Sequence, residues 1–244
     1  MSIGISRCQR LSTPLLGSNT FLRTEELRSH MSLSERWAGM PRETRIGFLG
    51  PAIALITISL AILLSPGFTW PGNALSDLGH YTRTDLGPYK LLGAIVFNGG
   101  LILTGLTMLY FVFSTMKKTT DMPTKIGLVP IFISLLFLIG IGVFSENFGD
   151  IHFIVSVGFF LTFPFSMWIV GISWLRFPRL RLFAIISLLL PFISVQVWWM
   201  HFVGNPYWTG AAIPEIITAM SAILWVWAFN YLHYRGALEG IVSQ

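Results

Sequence analysis

Charged residues are scarce in this chain of 244 residues. Asp, Glu, Lys and Arg together make up 11% of it, while apolar residues make up 53%. A soluble domain carries about 25% charged residues, because polar groups must cover its surface. The composition therefore excludes a water-soluble enzyme, a nucleic-acid-binding domain and a disordered chain.

Cysteine is almost absent, since Cys8 is the single one. An intramolecular disulfide and a cysteine-based metal site are therefore both excluded. The net charge is +5, which in a soluble protein would favour nucleic acid as a partner. In a membrane protein such an excess is typical of basic cytoplasmic loops, so we expect no nucleic-acid partner.

Long apolar runs dominate the remaining sequence. A membrane-spanning helix needs about 20 mostly apolar residues, and six stretches without Lys or Arg meet this length: 46–64, 91–115, 126–144, 152–174, 182–203 and 212–234. We therefore predict an all-α, multi-pass protein of the cell membrane, with a six-helix bundle over residues 45–235. The lipid bilayer is its expected environment.

The two ends of the chain are predicted to lie outside this bundle. Residues 1–44 are polar, and we interpret them as a disordered cytoplasmic segment or as the product of a start placed too early. Met31 and Met40 are alternative starts to Met1. Residues 236–244 are predicted to form a short cytoplasmic tail.

The distribution of basic residues predicts the orientation. The segments that would lie on the side of the termini carry 14 Lys and Arg, whereas the opposite side carries only Arg83 and Lys90. Basic residues accumulate in cytoplasmic loops, so both termini are expected to be cytoplasmic.

The predicted outer face collects the residue types that bind metals or transfer protons. Its first loop is the longest connection between spans and carries Asn73, Ser76, Asp77 and His80. Asn73 or Ser76 could instead cap a short helix ended by Gly79. Capping does not explain Asp77 and His80 together, which lie three residues apart and so on one face of a helical turn.

The other two outer connections add further polar groups. Glu146 and His152 flank the second connection, His201 ends the fifth span, and Glu215 lies in the first turn of the sixth. A carboxylate within a membrane span is a functional candidate. Each residue also has an ordinary interpretation as a helix cap or interfacial residue, so the hypothesis of a shared site depends on their occurrence at one end.

Two amides lie about two turns deep from the same face, Asn98 and Gln196. The predicted binding residues are therefore Asn73, Ser76, Asp77, His80, Asn98, Glu146, His152, Gln196, His201 and Glu215. Asp77 and Glu215 are the candidate acid–base residues. His80, His152 and His201 are the candidate ligands of a Zn²⁺ ion.

Three short motifs resemble a known family. They are Asn73-Ala-Leu-Ser-Asp-Leu-Gly79, Phe97-Asn98, and the acidic turn followed by His152. These residues resemble the domain of unknown function 998 family of small prokaryotic, largely archaeal, membrane proteins. The resemblance covers about residues 46–234 and implies a six-helix integral membrane protein, with no activity assigned.

A weaker similarity involves the ceramidase/progestin-receptor superfamily of membrane hydrolases. Those proteins place Ser, Asp and three His around zinc at one membrane face, and this chain offers Ser76, Asp77, His80, His152 and His201. It departs from them in having six predicted spans rather than seven and no His-x-x-x-His pair in the last span.

Three functions remain open from the sequence. The first is a lipid-headgroup-binding or scaffolding membrane protein, with a lipid or amphipathic ligand as its partner. The second is a metal-dependent, membrane-embedded hydrolase acting on a lipid. The third is a small-solute transporter that would use Glu215, Asn98 and Gln196.

Overall fold

A computed structural model describes residues 32–205 and 207–243. The expectations for residues 1–31, including the starts at Met1 and Met31, lie outside the described residues. The first described element is a short helix, Leu33–Ala38, with Ser32 and Glu35 forming a reciprocal capping box at its beginning.

Six long helices follow within the described part of the chain. They are α1 (Arg42–Leu63), α2 (Lys90–Lys118), α3 (Met122–Val143), α4 (Asp150–Trp174), α5 (Arg181–Val203) and α6 (Ala212–Tyr234). All six are long and apolar enough to cross a membrane. The all-α prediction is confirmed: 76% of the described residues are helical, and the described residues contain no strands. The orientation of the termini stays a prediction.

The six helices form a closed ring. Each packs against the next along the chain, and α6 packs against α1. We use two names for the ends of this ring. The polar end carries the connections 64–89, 144–149 and 204–211, and the basic end carries the connections 119–121 and 175–180 with the segment 235–243.

Hydrogen bonds between helices reinforce the ring. Lipid is as apolar as the helix faces, so helix association in a membrane depends on packing and on such bonds. The indole of Trp225 in α6 donates to Ser187 Oγ in α5 over 2.7 Å. The indole of Trp227 donates to the Phe48 carbonyl in α1 over 3.1 Å. Both neighbours of α6 are thereby held to it.

The segment after α6 packs against the turn between α2 and α3. The amide of Thr120 donates to the Ile241 carbonyl over 2.9 Å, and the amide of Ser243 donates to the Lys118 carbonyl over 2.8 Å. Leu238 and Ile241 are buried. The C-terminal segment therefore closes the basic end rather than extending away from it.

Removing the hydroxyl of Ser187 tests the contribution of the indole bonds. Ser187 is fully buried, and Ser187→Ala leaves the Trp225 N–H without an acceptor at nearly constant volume. We expect the free energy of unfolding to fall by about 0.6 kcal/mol, and by at most about 1.7 kcal/mol. Thermal unfolding in nanodiscs measures this change. The exposed Ser59 on α1 supplies the matched control Ser59→Ala. Equal thermal midpoints for Ser187→Ala and Ser59→Ala would show that the hydrogen bond between Trp225 and Ser187 does not stabilise the bundle.

Candidate functional site

The first long connection is fixed against the beginning of α6. The amide of Thr209 donates to the Pro71 carbonyl and the amide of Ala212 to the Asn73 carbonyl, each over 2.8 Å. At Gly210 a Cβ would overlap the backbone carbonyl of Asn73. Because only glycine permits this approach, the loop and the start of α6 form one layer over the polar end.

Asp77 is the centre of this layer. It lies in a 3₁₀ helix, Ser76–Gly79, and is 5% exposed. Its Oδ2 accepts from Asn73 Nδ2 over 2.7 Å, from the Ala74 amide over 3.1 Å and from Arg83 Nη1 over 2.6 Å. A buried carboxylate requires such donors, so Asp77 organises the loop around itself.

The guanidinium of Arg83 is shared between two aspartates. Besides Asp77, it binds Asp85 through Nε at 3.0 Å and through Nη2 at 2.5 Å. The hydrogen bonds from Arg83 hold the pKa of Asp85 below its usual value. In turn, Asp85 and Asp77 raise the pKa of Arg83 above its usual value. The positive charge of Arg83 is thus already paired with the two aspartates.

Glu146 meets the first loop from the short 3₁₀ helix Glu146–Phe148 between α3 and α4. Burial, followed by repulsion from and hydrogen bonding with Asp77, raises the pKa of Glu146 to about 7. Because the carboxyl groups of Glu146 and Asp77 lie within hydrogen-bonding reach, a proton on Glu146 relieves their repulsion. Glu146 Oε2 is buried and has no hydrogen-bond partner among the described residues.

Glu215 supplies a third carboxylate from the first turn of α6. Its Oε2 accepts from the backbone amide of Leu75 over 2.5 Å, which ties α6 to the loop that carries Asp77. Glu146 and Asp77 are near enough to repel it electrostatically. Asp77, Glu146 and Glu215 therefore converge, and we call these three residues the acid cluster.

A cavity of about 120 Å³ begins at the acid cluster. Ser76 and Glu215 line it at the polar end, and it extends between α1, α2, α3, α4 and α6 as far as Met108. Apart from Ser76, Thr104, Ser156 and Glu215, its lining residues are apolar. An apolar cavity of about 150 Å³ stays dry and binds benzene, so this cavity has room for a short apolar group.

Two predicted site residues brace the loop instead of facing the cavity. The Asn98 side-chain amide donates to the Gly79 carbonyl over 2.9 Å. Nδ1 of His80 lies 3.3 Å from both Thr82 Oγ1 and Asn147 Nδ2. His80 lies just beyond the 3₁₀ helix, so it does not share a helical face with Asp77.

The remaining predicted residues lie apart from the acid cluster. His152 Nδ1 donates to the Phe144 carbonyl over 2.7 Å, which anchors the end of α3 to α4. His201 packs edge-on against Trp198 with ring centroids 5.8 Å apart. Gln196 is exposed on α5.

The three candidate zinc ligands are therefore not brought together. They belong to the first loop, α4 and α5, and each has its own local contacts. Within residues 32–205 and 207–243, no group of three or more His, Cys, Asp or Glu side chains could hold a metal ion. The geometry gives the three-histidine zinc prediction no support.

Sequence reasoning missed three residues of this region. From the sequence, Arg83 contributes only to the predicted orientation, although it is one of two basic residues at an end rich in acids. Asn147 bridges His80 and the amide of Tyr81, and Thr104 lines the cavity. Nothing in the sequence distinguishes Thr104 from the other threonines of α2.

The fold defines the class: this is a multi-pass membrane protein, with six apolar helices among its described residues. A family model described as "Protein of unknown function (DUF998)" matches residues 48–230. The chain belongs to this family, as its short motifs predicted. No curated protein and no solved structure matches the chain.

The raised pKa of Glu146 predicts a pH dependence of stability. Between about pH 4.5 and about pH 7 the folded protein keeps this proton while the unfolded chain loses it, so stability falls as the pH rises through this window. We expect the thermal midpoint to fall from pH 5 to pH 8, and Glu146→Gln to reduce this slope. The exposed Glu239→Gln at the basic end is the control. An unchanged slope in Glu146→Gln would show that Glu146 does not hold the proton.

Proposed function

We propose that this protein binds a lipid or another amphipathic ligand, with the polar head at the acid cluster and the apolar tail in the cavity. The observation that carries this proposal is the position of Glu215. It belongs to the acid cluster and also lines the cavity. One molecule can therefore contact both only if it has a polar and an apolar part.

The surroundings of Glu215 support binding at this place. Its Oε2 is engaged by the Leu75 amide, which fixes the carboxylate at the cavity mouth. Ser76 also lines the cavity at its polar end, whereas its deeper wall, which includes Leu101, Met108 and Phe163, is apolar apart from Thr104 and Ser156. This change from polar to apolar lining matches the two parts of an amphiphile.

The other functions that the sequence left open have less support. For a transporter, the amides of Asn98 and Gln196 would have to line a path, but Asn98 bonds Gly79 and Gln196 is exposed. For a zinc hydrolase, the three histidines would have to converge, which they do not. The acid–base role predicted for Asp77 and Glu215 is supported only by their position in the acid cluster.

Filling the cavity tests the proposal. Ala219 lines it, whereas Ala228 on the same helix is exposed. We expect Ala219→Phe to occupy the space of the tail and to remove co-purifying amphiphile, detected by native mass spectrometry of protein released from nanodiscs. Ala228→Phe should retain the same amphiphile as the unchanged protein.

Two results would overturn this assignment. One is an amphiphile that Ala219→Phe still retains. The other is the absence of any amphiphile from the unchanged protein after reconstitution with lipid extract of the native cells. Glu215→Gln gives a second test, because the amide keeps the size of the side chain while it removes the negative charge and replaces one acceptor oxygen with an NH2 donor. It should weaken retention, whereas the basic-end variant Glu239→Gln should not.

We also propose that the polar end faces the outside of the cell membrane and that both termini are cytoplasmic. The support is the basic-residue bias: Lys117, Lys118, Arg176 and Arg179 lie at or near the basic end, together with Arg235. The proposed ligand would then enter from the outer leaflet.

Labelling of single cysteines with a membrane-impermeant maleimide tests this orientation. In a Cys8→Ser background, Thr84→Cys places a thiol at an exposed position of the polar end, and Glu239→Cys places one at the basic end. We expect the first to react in intact cells and the second only after permeabilisation. The reverse pattern would invert the proposed topology.

A further inference from the structure

The balance of charge at the acid cluster indicates what kind of head it accepts. Arg83 is paired with Asp77 and Asp85. Lys90, the other basic residue of this end, directs its ammonium to the Thr82 carbonyl over 3.3 Å. No ion pair to Glu146 or Glu215 is present among the described residues. An anionic head would thus meet uncompensated carboxylates, whereas a cationic head would supply their missing partner.

Glu146 has capacity for such a partner. Its Oε2 is buried and accepts no hydrogen bond from any described residue. A buried acceptor without a donor is unfavourable, and more so when it is charged. An ammonium group carries three N–H donors and no acceptor, which complements a set of carboxylate oxygens.

A second, independent observation comes from inside the cavity. Thr104 is 4% exposed, lines the cavity, and its Oγ1 has no partner among the described residues. Thr107 and Thr115 on the same helix donate to the carbonyls four residues earlier, over 2.7 and 2.9 Å. A hydroxyl that lines the cavity without this local bond can therefore bond a polar group of an occupant.

The position of Thr104 along α2 gives the depth of its hydroxyl below the polar end. It lies six residues beyond Asn98 along α2, and Asn98 contacts the loop at the polar end. At 1.5 Å per residue this is about 9 Å deeper in the bundle. A head at the acid cluster and a chain along the cavity would therefore bring a carbon of the chain beside Thr104 at about this depth.

We propose that the occupant is an amphiphile with a primary amine in its head, bound as an ammonium between Glu146 and Glu215. Its chain follows the cavity and carries a hydroxyl or carbonyl group within reach of Thr104. This inference rests on the proposed function and names its ligand class.

Binding of this class should strengthen as the pH rises. Glu146 faces Asp77, Arg83 and Glu215, and it holds a proton below about pH 7. An alkylammonium keeps its charge well above this pH, as lysine does with a pKa of about 10.4. The proton on Glu146 therefore competes with the amine, and the affinity should increase between pH 6 and pH 8.

Photoreactive probes with one tail and different heads test the class. Each probe carries a diazirine in the same alkyl chain, and the heads are a primary amine, a hydroxyl, a carboxylate and a phosphoethanolamine. The full-length protein is embedded in phosphatidylcholine nanodiscs, and crosslinks to the peptides of Met108 and Phe163 are quantified by mass spectrometry. At pH 8 we expect the amine to label these peptides at least tenfold more than the carboxylate.

The outcomes separate this inference from the proposed function. Labelling by the phosphoethanolamine equal to that by the amine supports the class and identifies a zwitterionic phospholipid as its source. Weaker labelling by it supports the class and identifies an amphiphile without phosphate. Equal labelling by all heads, lost in Ala219→Phe, overturns the amine head and leaves the proposed function standing. No labelling of the cavity by any probe overturns both.

Variants locate the two contacts. Glu146→Gln and Glu215→Gln should lower labelling by the amine towards that by the hydroxyl probe, whereas Glu239→Gln should not. A second amine probe with a hydroxyl in mid-chain should outcompete the plain one, and Thr104→Val should abolish this preference. A preference that persists in Thr104→Val overturns the role of Thr104. Retained amine labelling in both carboxylate variants overturns the proposed ammonium contact.

Discussion

A carboxylate inside a membrane protein must find its hydrogen-bond donors within the protein, because the lipid chains offer none. Glu215 finds one at the backbone amide of Leu75. This bond joins the start of α6 to the first long loop, beside the backbone bonds from Thr209 and Ala212, and it fixes the carboxylate of Glu215 within the acid cluster. The loop carries Asp77, and Asp77 in turn borders Glu146 from the connection between α3 and α4. Three distant parts of the chain are thereby brought to one place.

The same constraint explains why the bundle can hold a cavity. Helices in lipid gain little from burying apolar surface against one another, so interhelical hydrogen bonds have a larger share in their association. Trp225 and Trp227 bond α6 to α5 and α1. With the ring closed by such contacts, its centre is not required to be completely filled. The space that remains opens at the acid cluster and carries the unpartnered hydroxyl of Thr104.

The candidate site was only partly predictable from the sequence. The excess of acids at one end identified Asp77, Glu146 and Glu215, and these converge. The histidines carried the same chemical argument, yet His152 anchors the end of α3 and His201 packs against Trp198. Gln196 shows most plainly why the sequence alone does not place a side chain in the site. The number of residues from the end of the span fixes its depth, but the direction of its side chain depends on the rotation of α5 about its axis, which leaves Gln196 exposed.

The sequence by itself determined the six membrane helices and the family, because an apolar run of spanning length has no other stable structure in lipid. It also determined that acids gather at one end, since the position of a residue along a span fixes its depth. Only the tertiary structure decided which side chains meet. That outcome depends on the rotation and neighbours of each helix, and on the docking of the first loop onto α6 through Gly210 and Leu75. These are long-range contacts, which a local pattern of residue types does not encode.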